Sequence, residues 1–146
     1  MRYCTLADLQ LAIPQTTLAQ LTNDAPADYS MAPEPNLAVV EEAVRQAEEL
    51  VDAHLRGRYV LPLVTVPSVI KDNTVNLARH WLYARRNELP DAVTRTYKAA
   101  LQILESIRDG KLTIGLPTGE AAPEPGEVKV RARRQLFSAS MLERYR

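Results

Sequence analysis

The chain has 146 residues, of which 46% are hydrophobic and 25% are charged, and its 18 basic side chains balance its 18 acidic ones. These fractions are average for soluble globular proteins, so they exclude wholesale disorder, and the length is that of one domain. No apolar run reaches the roughly 20 residues of a membrane span, and the first residues lack the apolar stretch of a secretory signal. We therefore expect a protein that stays in a cytosol. Cys4, the only cysteine, can form no internal disulfide and fits that compartment.

The neutral total conceals a separation of charge along the chain. Residues 128–146 contain six basic residues and one acid, a net charge of +5, so residues 1–127 carry a net charge of −5. The sequence therefore predicts a compact acidic body followed by a basic tail.

Two short helices are predicted near the start of the chain. Thr5 is a suitable N-cap with Asp8 in the first turn, and the apolar positions that follow end at Pro14. A second helical turn is predicted over residues 17–21. Residues 23–35 contain three prolines and little apolar content, which indicates a long loop.

Three long helices are predicted next. Asn36 would cap a helix through Arg56, with Gly57 as its left-handed C-cap. Residues 58–67 are β-branched and proline-containing, so we expect an extended segment there. Pro67 would open a helix to about Asn87, and a last helix would cover residues 91–109. Their apolar stripes assign seven residues to core packing: Leu37, Val44, Val51, Leu77, Trp81, Leu101 and Leu104.

The prediction is therefore an all-α fold, a small bundle of three long helices and a short N-terminal one, with an extended C-terminal arm. The body would cover residues 1–116. Residues 117–127 are rich in proline, glycine and glutamate, which is typical of a linker. In residues 128–146, apolar and basic residues first alternate with a strand-like period of two, and apolar residues then recur at helical spacing.

The sequence contains none of the common catalytic or nucleotide-binding motifs. His54 and His80 lie on different predicted helices without metal-ligand spacing, and we interpret both as structural. Four glutamates, Glu41, Glu42, Glu48 and Glu49, form two acidic pairs on one side of a helix, for which a solvated face is the simplest interpretation. We expect no enzymatic activity, no cofactor and no metal.

Two interpretations of the basic tail remain open. Clustered arginines could neutralise DNA phosphates, although an acidic body would repel a duplex. Alternatively, the tail could bind an acidic protein surface, and the glutamates of another copy of the chain offer one. A flexible linker would make such a contact effective in a ring or another oligomer.

Four segments form a recognisable series in chain order: MRYCTLADL, LAQLTND, residues 53–83 and residues 97–116. This series resembles the small head-to-tail joining family of Mu-like phages and prophages. The most specific block is GRYVLPL followed by VPSVI and a helix that contains Ala78, Trp81 and Tyr83. RRQLFSASML also resembles the family's ending, whereas residues 24–35 depart from its pattern.

The resemblance implies a structural virion protein at the head-tail junction, assembled in the host cytoplasm. Adaptors of this kind form a ring of about a dozen copies beneath the portal protein, surround the DNA channel without binding DNA specifically, and contact a stopper or another neck or tail-completion protein. The resemblance implies no membrane partner. The portal-docking residues would be Arg131, Arg133, Arg134, Leu136, Phe137, Met141, Leu142 and Tyr145. The four glutamates would lie at a subunit interface or on the channel wall.

Three other functions remain possible on the sequence alone. A DNA-binding regulator or packaging protein would use the basic arm. A stopper or tail terminator is disfavoured by the three long helices, since such proteins are usually β-rich. A small metal-dependent enzyme is the most distant alternative.

Overall fold

The described part of the chain contains five helices. The computed structural model describes residues 1–24 and 34–117. The helices are α1 (Leu6–Ala12), α2 (Gln15–Thr22), α3 (Leu37–Leu55), α4 (Ser68–Arg85) and α5 (Asp91–Arg108). The predicted all-α fold is confirmed, and the second short helix is longer than the predicted turn.

Helix α1 begins as the sequence predicts. The Thr5 backbone N–H donates to Asp8 Oδ2 at 2.8 Å, and the Asp8 N–H donates to Thr5 Oγ1 at 3.3 Å. This reciprocal capping box satisfies two amides that the helix itself leaves unpaired. The helix ends at Ala12, since Pro14 cannot continue it.

Helix α3 begins at its predicted cap but ends differently. The Asn36 side chain accepts from the Ala38 N–H at 3.1 Å. Gly57, however, is not left-handed, so its predicted role as a left-handed cap is wrong. Instead, the carbonyl of Leu55 accepts the amides of Arg58 and Tyr59 at 2.9 and 3.0 Å, and the chain leaves α3 through a right-handed turn.

Helix α4 ends two residues before its predicted limit. Asn87 has a φ of 60°, a left-handed conformation in which asparagine is tolerated, and this conformation terminates the helical geometry. Only residues 86–90 separate α4 from α5, and a connection this short makes the two helices antiparallel neighbours. Gly110, with a φ of 81°, follows α5 as predicted.

The core lies between α3, α4 and α5, with α1 packed on α4 and α2 packed on α3 and α4. Val44, Val51, Leu77 and Leu104 are buried as predicted. One core assignment is wrong, because Leu37, at the first position of α3, is 53% exposed. Trp81 and Leu101 pack against the core as predicted, although they are only partly buried.

Arg58 joins the ends of two helices. Its guanidinium donates to the carbonyl of Ile107, in the last turn of α5, at 2.6 Å. The buried Tyr59 accepts the Ile114 N–H on its hydroxyl at 3.3 Å. The C-terminal ends of α3 and α5 therefore lie at the same end of the bundle, together with the start of α4. Residues 58–67 are non-helical, as predicted, and they adopt turns rather than a strand.

The opposite end of the bundle holds the two ends of the predicted long loop. The buried Thr22 accepts the Asn36 N–H on its hydroxyl at 2.9 Å, and Asn23 donates its side-chain amide to the Glu34 carbonyl at 2.8 Å. Arg85 adds an ion pair with Asp24. Residues 25–33 lie outside the described residues, as do residues 118–146, so the predicted linker and arm boundaries stay predictions.

Within the described ranges, every helix is too short or too polar to cross a membrane.

The packing predicts different costs for truncating two leucines. Leu104→Ala should lower the free energy of unfolding by about 2–5 kcal/mol, because Leu104 is fully buried and its loss leaves a cavity. Leu37→Ala is the matched control and should cost less than about 1 kcal/mol. Urea unfolding followed by circular dichroism measures both values, and equal losses would contradict this packing.

Candidate functional site

The predicted docking residues of the arm all lie outside the described residues. They are Arg131, Arg133, Arg134, Leu136, Phe137, Met141, Leu142 and Tyr145. The four glutamates of the predicted interface all lie on α3, where their surroundings are described.

Three of the four glutamates share an outer surface of α3, which we call the Glu41 surface (Glu41, Glu42, Arg45 and Glu49). Arg45 lies in its centre, with Nη2 2.6 Å from Glu42 and Nη1 2.5 Å from Glu49. Hydrogen bonds from Arg45 and Gln46 lower the pKa of Glu42 to about 2. Glu41 is exposed. The Glu41 surface therefore carries a net charge of −2.

Glu48 does not belong to this surface, and its predicted exposed position is wrong. It is 3% exposed, and one carboxylate oxygen accepts the backbone N–H groups of Arg2 and Tyr3, the latter at 2.9 Å. Its other oxygen lies 3.4 Å from the Arg2 side chain. The buried face of α3 is wider than its apolar stripe, so the adjacent Glu48 and Glu49 lie in opposite environments.

Asp52, one turn beyond Glu48, completes an anchor for the start of the chain. Its carboxylate accepts a hydrogen bond from the Tyr3 hydroxyl and lies 3.0 Å from the Arg2 guanidinium. Tyr3 and Asp52 are both buried. Burial and the hydrogen bond to Asp52 raise the pKa of Tyr3 to about 12. We call Arg2, Tyr3, Glu48 and Asp52 the carboxylate anchor.

The carboxylate anchor was not predicted from the sequence. Glu48 and Asp52 are four residues apart and therefore share one side of a helix, which was the available signal. Nothing in the local pattern connects them to residues more than 40 positions earlier.

The histidines and the cysteine have structural surroundings. His54 donates from Nδ1 to the Leu50 carbonyl at 2.8 Å. His80 stacks on Tyr97 with ring centroids 3.8 Å apart, and burial lowers its pKa. Cys4 is also buried, and this burial raises the pKa of its thiol to about 12, so the thiol stays protonated at neutral pH. Over residues 1–24 and 34–117, no three metal-ligating side chains are grouped to hold an ion.

The charge of the folded body differs from the sequence expectation. The described residues contain 13 acids and 12 bases, a net charge of −1. The remaining acids of residues 1–127 are Asp28, Glu120, Glu124 and Glu127, which lie outside the described residues. Four of the five net negative charges of residues 1–127 therefore come from residues that the structure does not describe.

Comparison with known proteins identifies the family. The sequence model of the bacteriophage Mu Gp36 family matches residues 3–132. The chain belongs to this family. It is also 35% identical over 140 residues to gene product J of Escherichia phage Mu. This aligned region covers 94% of this chain and 95% of gene product J. The Mu-like prophage FluMu protein gp36 of Haemophilus influenzae is 34% identical over 87 residues, 60% of each chain.

Membership in the Gp36 family confirms the resemblance to proteins of Mu-like phages, and this is a phage protein. The matched range includes Tyr3, Glu48 and Asp52 of the carboxylate anchor, all five helices and the predicted linker, and it begins one residue after Arg2. It ends at Ala132, before most of the predicted docking residues.

The carboxylate anchor predicts effects of different size for two neighbouring substitutions. Glu48→Gln should lower the free energy of unfolding by about 1–3 kcal/mol, because it removes the charge that pairs with Arg2 and weakens the hydrogen bonds from the Arg2 and Tyr3 amides. Glu49→Gln removes an exposed pair and should change it by no more than about 0.5 kcal/mol. Urea unfolding compares them, and a large loss for the Glu49 variant alone would refute the assignment.

Tyr3 predicts a loss of stability at high pH. The unfolded tyrosine ionises near pH 10, whereas the folded one keeps its proton to about pH 12, so the free energy of unfolding falls as pH rises between these values. Between these values, ionisation of Tyr3 lowers the free energy of unfolding by up to about 1.4 kcal/mol per pH unit. Tyr3→Phe lacks this ionisable group. The difference in free energy of unfolding between the wild type and Tyr3→Phe should therefore narrow between pH 10 and 11. Chemical unfolding at several pH values measures that gap, and a constant gap would contradict the prediction.

Proposed function

We propose that this protein is a head-tail connector of a long-tailed phage. About a dozen copies would form a ring beneath the portal protein, surround the DNA channel, and contact a stopper or another neck or tail-completion protein. Membership in the phage Mu Gp36 family over almost the whole chain is the observation that carries the proposal. The role is structural, without catalysis, and its place is the neck of the virion after assembly in the host cytoplasm.

The division of the chain supports this role. The described residues pack into one helical body, in which even the start of the chain is held by buried hydrogen bonds. Beyond residue 117 come an acidic linker and a tail with a net charge of +5. A body joined to a charged tail through a linker suits an assembly protein, since the body can contact one neighbour while the arm binds another.

The Glu41 surface is the proposed subunit interface. With Glu48 buried in the carboxylate anchor and Arg45 paired to two of the glutamates, this surface has both signs of charge. Mixed charge favours a contact between subunits over a channel wall, because a wall that lets DNA pass would repel phosphate most effectively with unpaired acids.

A DNA-binding regulator or packaging protein remains the second candidate. The almost neutral charge of the described body favours it over the sequence expectation, because the body would not repel a duplex strongly. The basic arm would then bind phosphates.

Changing the arm at its apolar positions tests the connector role. The double variant Leu136→Asp, Phe137→Asp in the full chain should prevent joining, because charges replace the side chains that enter the portal. Ser138→Asp, Ser140→Asp adds the same charge beside those positions and is the matched control. In a Mu-like phage dependent on this chain, electron microscopy should show filled heads without tails for the first variant only. Normal particles from the first variant would refute the arm assignment.

Duplex binding separates the two candidates. A DNA-binding arm that neutralises six phosphates should lose about a thousandfold in affinity between 50 and 200 mM salt. The connector proposal expects weak binding by the purified protein at either salt concentration. Tight, strongly salt-dependent binding together with normal head joining by the arm variant would favour the second candidate.

A further inference from the structure

An apolar groove lies where the chain leaves the helical body. It has a volume of about 370 Å³ and is lined by Tyr59, Val60, Leu63, Val64, Thr65, Leu116 and Pro117. Val64 is 102% exposed and Val60 is 72% exposed. None of these lining side chains is charged, so the groove suits an apolar occupant.

The groove is held in place by the body. Tyr59 is buried and accepts a hydrogen bond from Ile114, and Arg58 donates to the Ile107 carbonyl. Leu61, Leu63 and Val66 pack against the core on the inner side of the same loop. Val60 and Val64 are therefore presented to solvent by an anchored loop, and covering them removes apolar surface from water.

The following segment of the same chain can reach this groove. Leu116 and Pro117 line it, so the tail starts there. The ten residues 118–127 span at most about 36 Å when extended, and they contain two prolines and two glycines, which favour a reversal of direction. Residues 128–132, VKVRA, come next, with apolar and basic side chains in alternation. The Gp36 family match extends through these residues.

We propose that residues 128–132 bind in this groove of their own chain. Val128 and Val130 cover the exposed valines, while the alternation directs Lys129 and Arg131 to solvent. The inference goes beyond the connector proposal and does not depend on it. It places the root of the arm at the end of the bundle where α3 and α5 terminate.

Alkylation of an introduced cysteine tests this contact in the full-length protein. Thr65→Cys places a thiol in the lining of the groove, and the native Cys4 gives little background because it is buried and burial raises its pKa to about 12. N-ethylmaleimide should react with this cysteine at least about fivefold faster after the further change Val130→Asp. Lys129→Asp alters the charge by more but lies on the opposite side of the segment, so it should leave the rate unchanged. Lys98→Cys, on the outside of α5, reports any general change in reactivity and should be unaffected.

Each outcome of the experiment is decisive. Binding within one chain is supported if Val130→Asp accelerates alkylation of the Thr65→Cys protein, Lys129→Asp does not, and the rates are independent of protein concentration. Protection that disappears on dilution would show that a second copy supplies the segment and would overturn the proposal. Equal rates in all variants, or equal acceleration by Lys129→Asp, would overturn it as well. Wild-type head joining by the Val130 variant would leave this result intact, so failure of the connector proposal is distinguished from failure of this one.

Discussion

The buried carboxylates of α3 determine how the first part of the chain joins the bundle. Removing Glu48 and Asp52 from water costs free energy, and this cost is offset only because Arg2 and Tyr3 supply charge and hydrogen-bond donors. The requirement is mutual, since the backbone amides of Arg2 and Tyr3 also need acceptors. Residues 2–3 are thus held against α3 immediately before Thr5 starts α1, and α1 can pack on α4.

Local signals predicted the helices well. The capping residues Thr5 and Asn36 and the apolar spacing that followed them act within a few residues, so their effect is visible in the sequence. The errors have physical causes beyond that range. Gly57 was assigned a left-handed cap, but the Leu55 carbonyl already accepts two amides in a right-handed turn. Leu37 matched the stripe of α3 but lies at the helix end, where no other helix covers it.

The glutamates of α3 also show that local sequence does not reveal tertiary surroundings. Adjacent acids on a helix look equivalent in sequence, yet Glu48 lies under residues 2–3 while Glu49 meets Arg45 in solvent. Only the tertiary fold distinguishes them. The net charge of −5 expected for residues 1–127 includes four acids outside the described residues, and the described residues alone carry a net charge of −1. In the sequence, the acidic residues 118–127 are followed directly by the basic residues 128–146.

This contiguity affects how the tail can act. Glu120, Glu124 and Glu127 precede Lys129 and Arg131 directly, so the acids of the linker partly compensate the basic charges nearest the body. The unopposed positive charge is then displaced toward Arg133 and Arg134, beyond the end of the Gp36 family match. A root bound to the groove by valines would fix where this charge begins, and the residues that follow would carry both the arginines and the apolar side chains. An arm built in this order can bind a neighbouring protein with its last residues while its root stays bound to its own body, which suits the connector proposal.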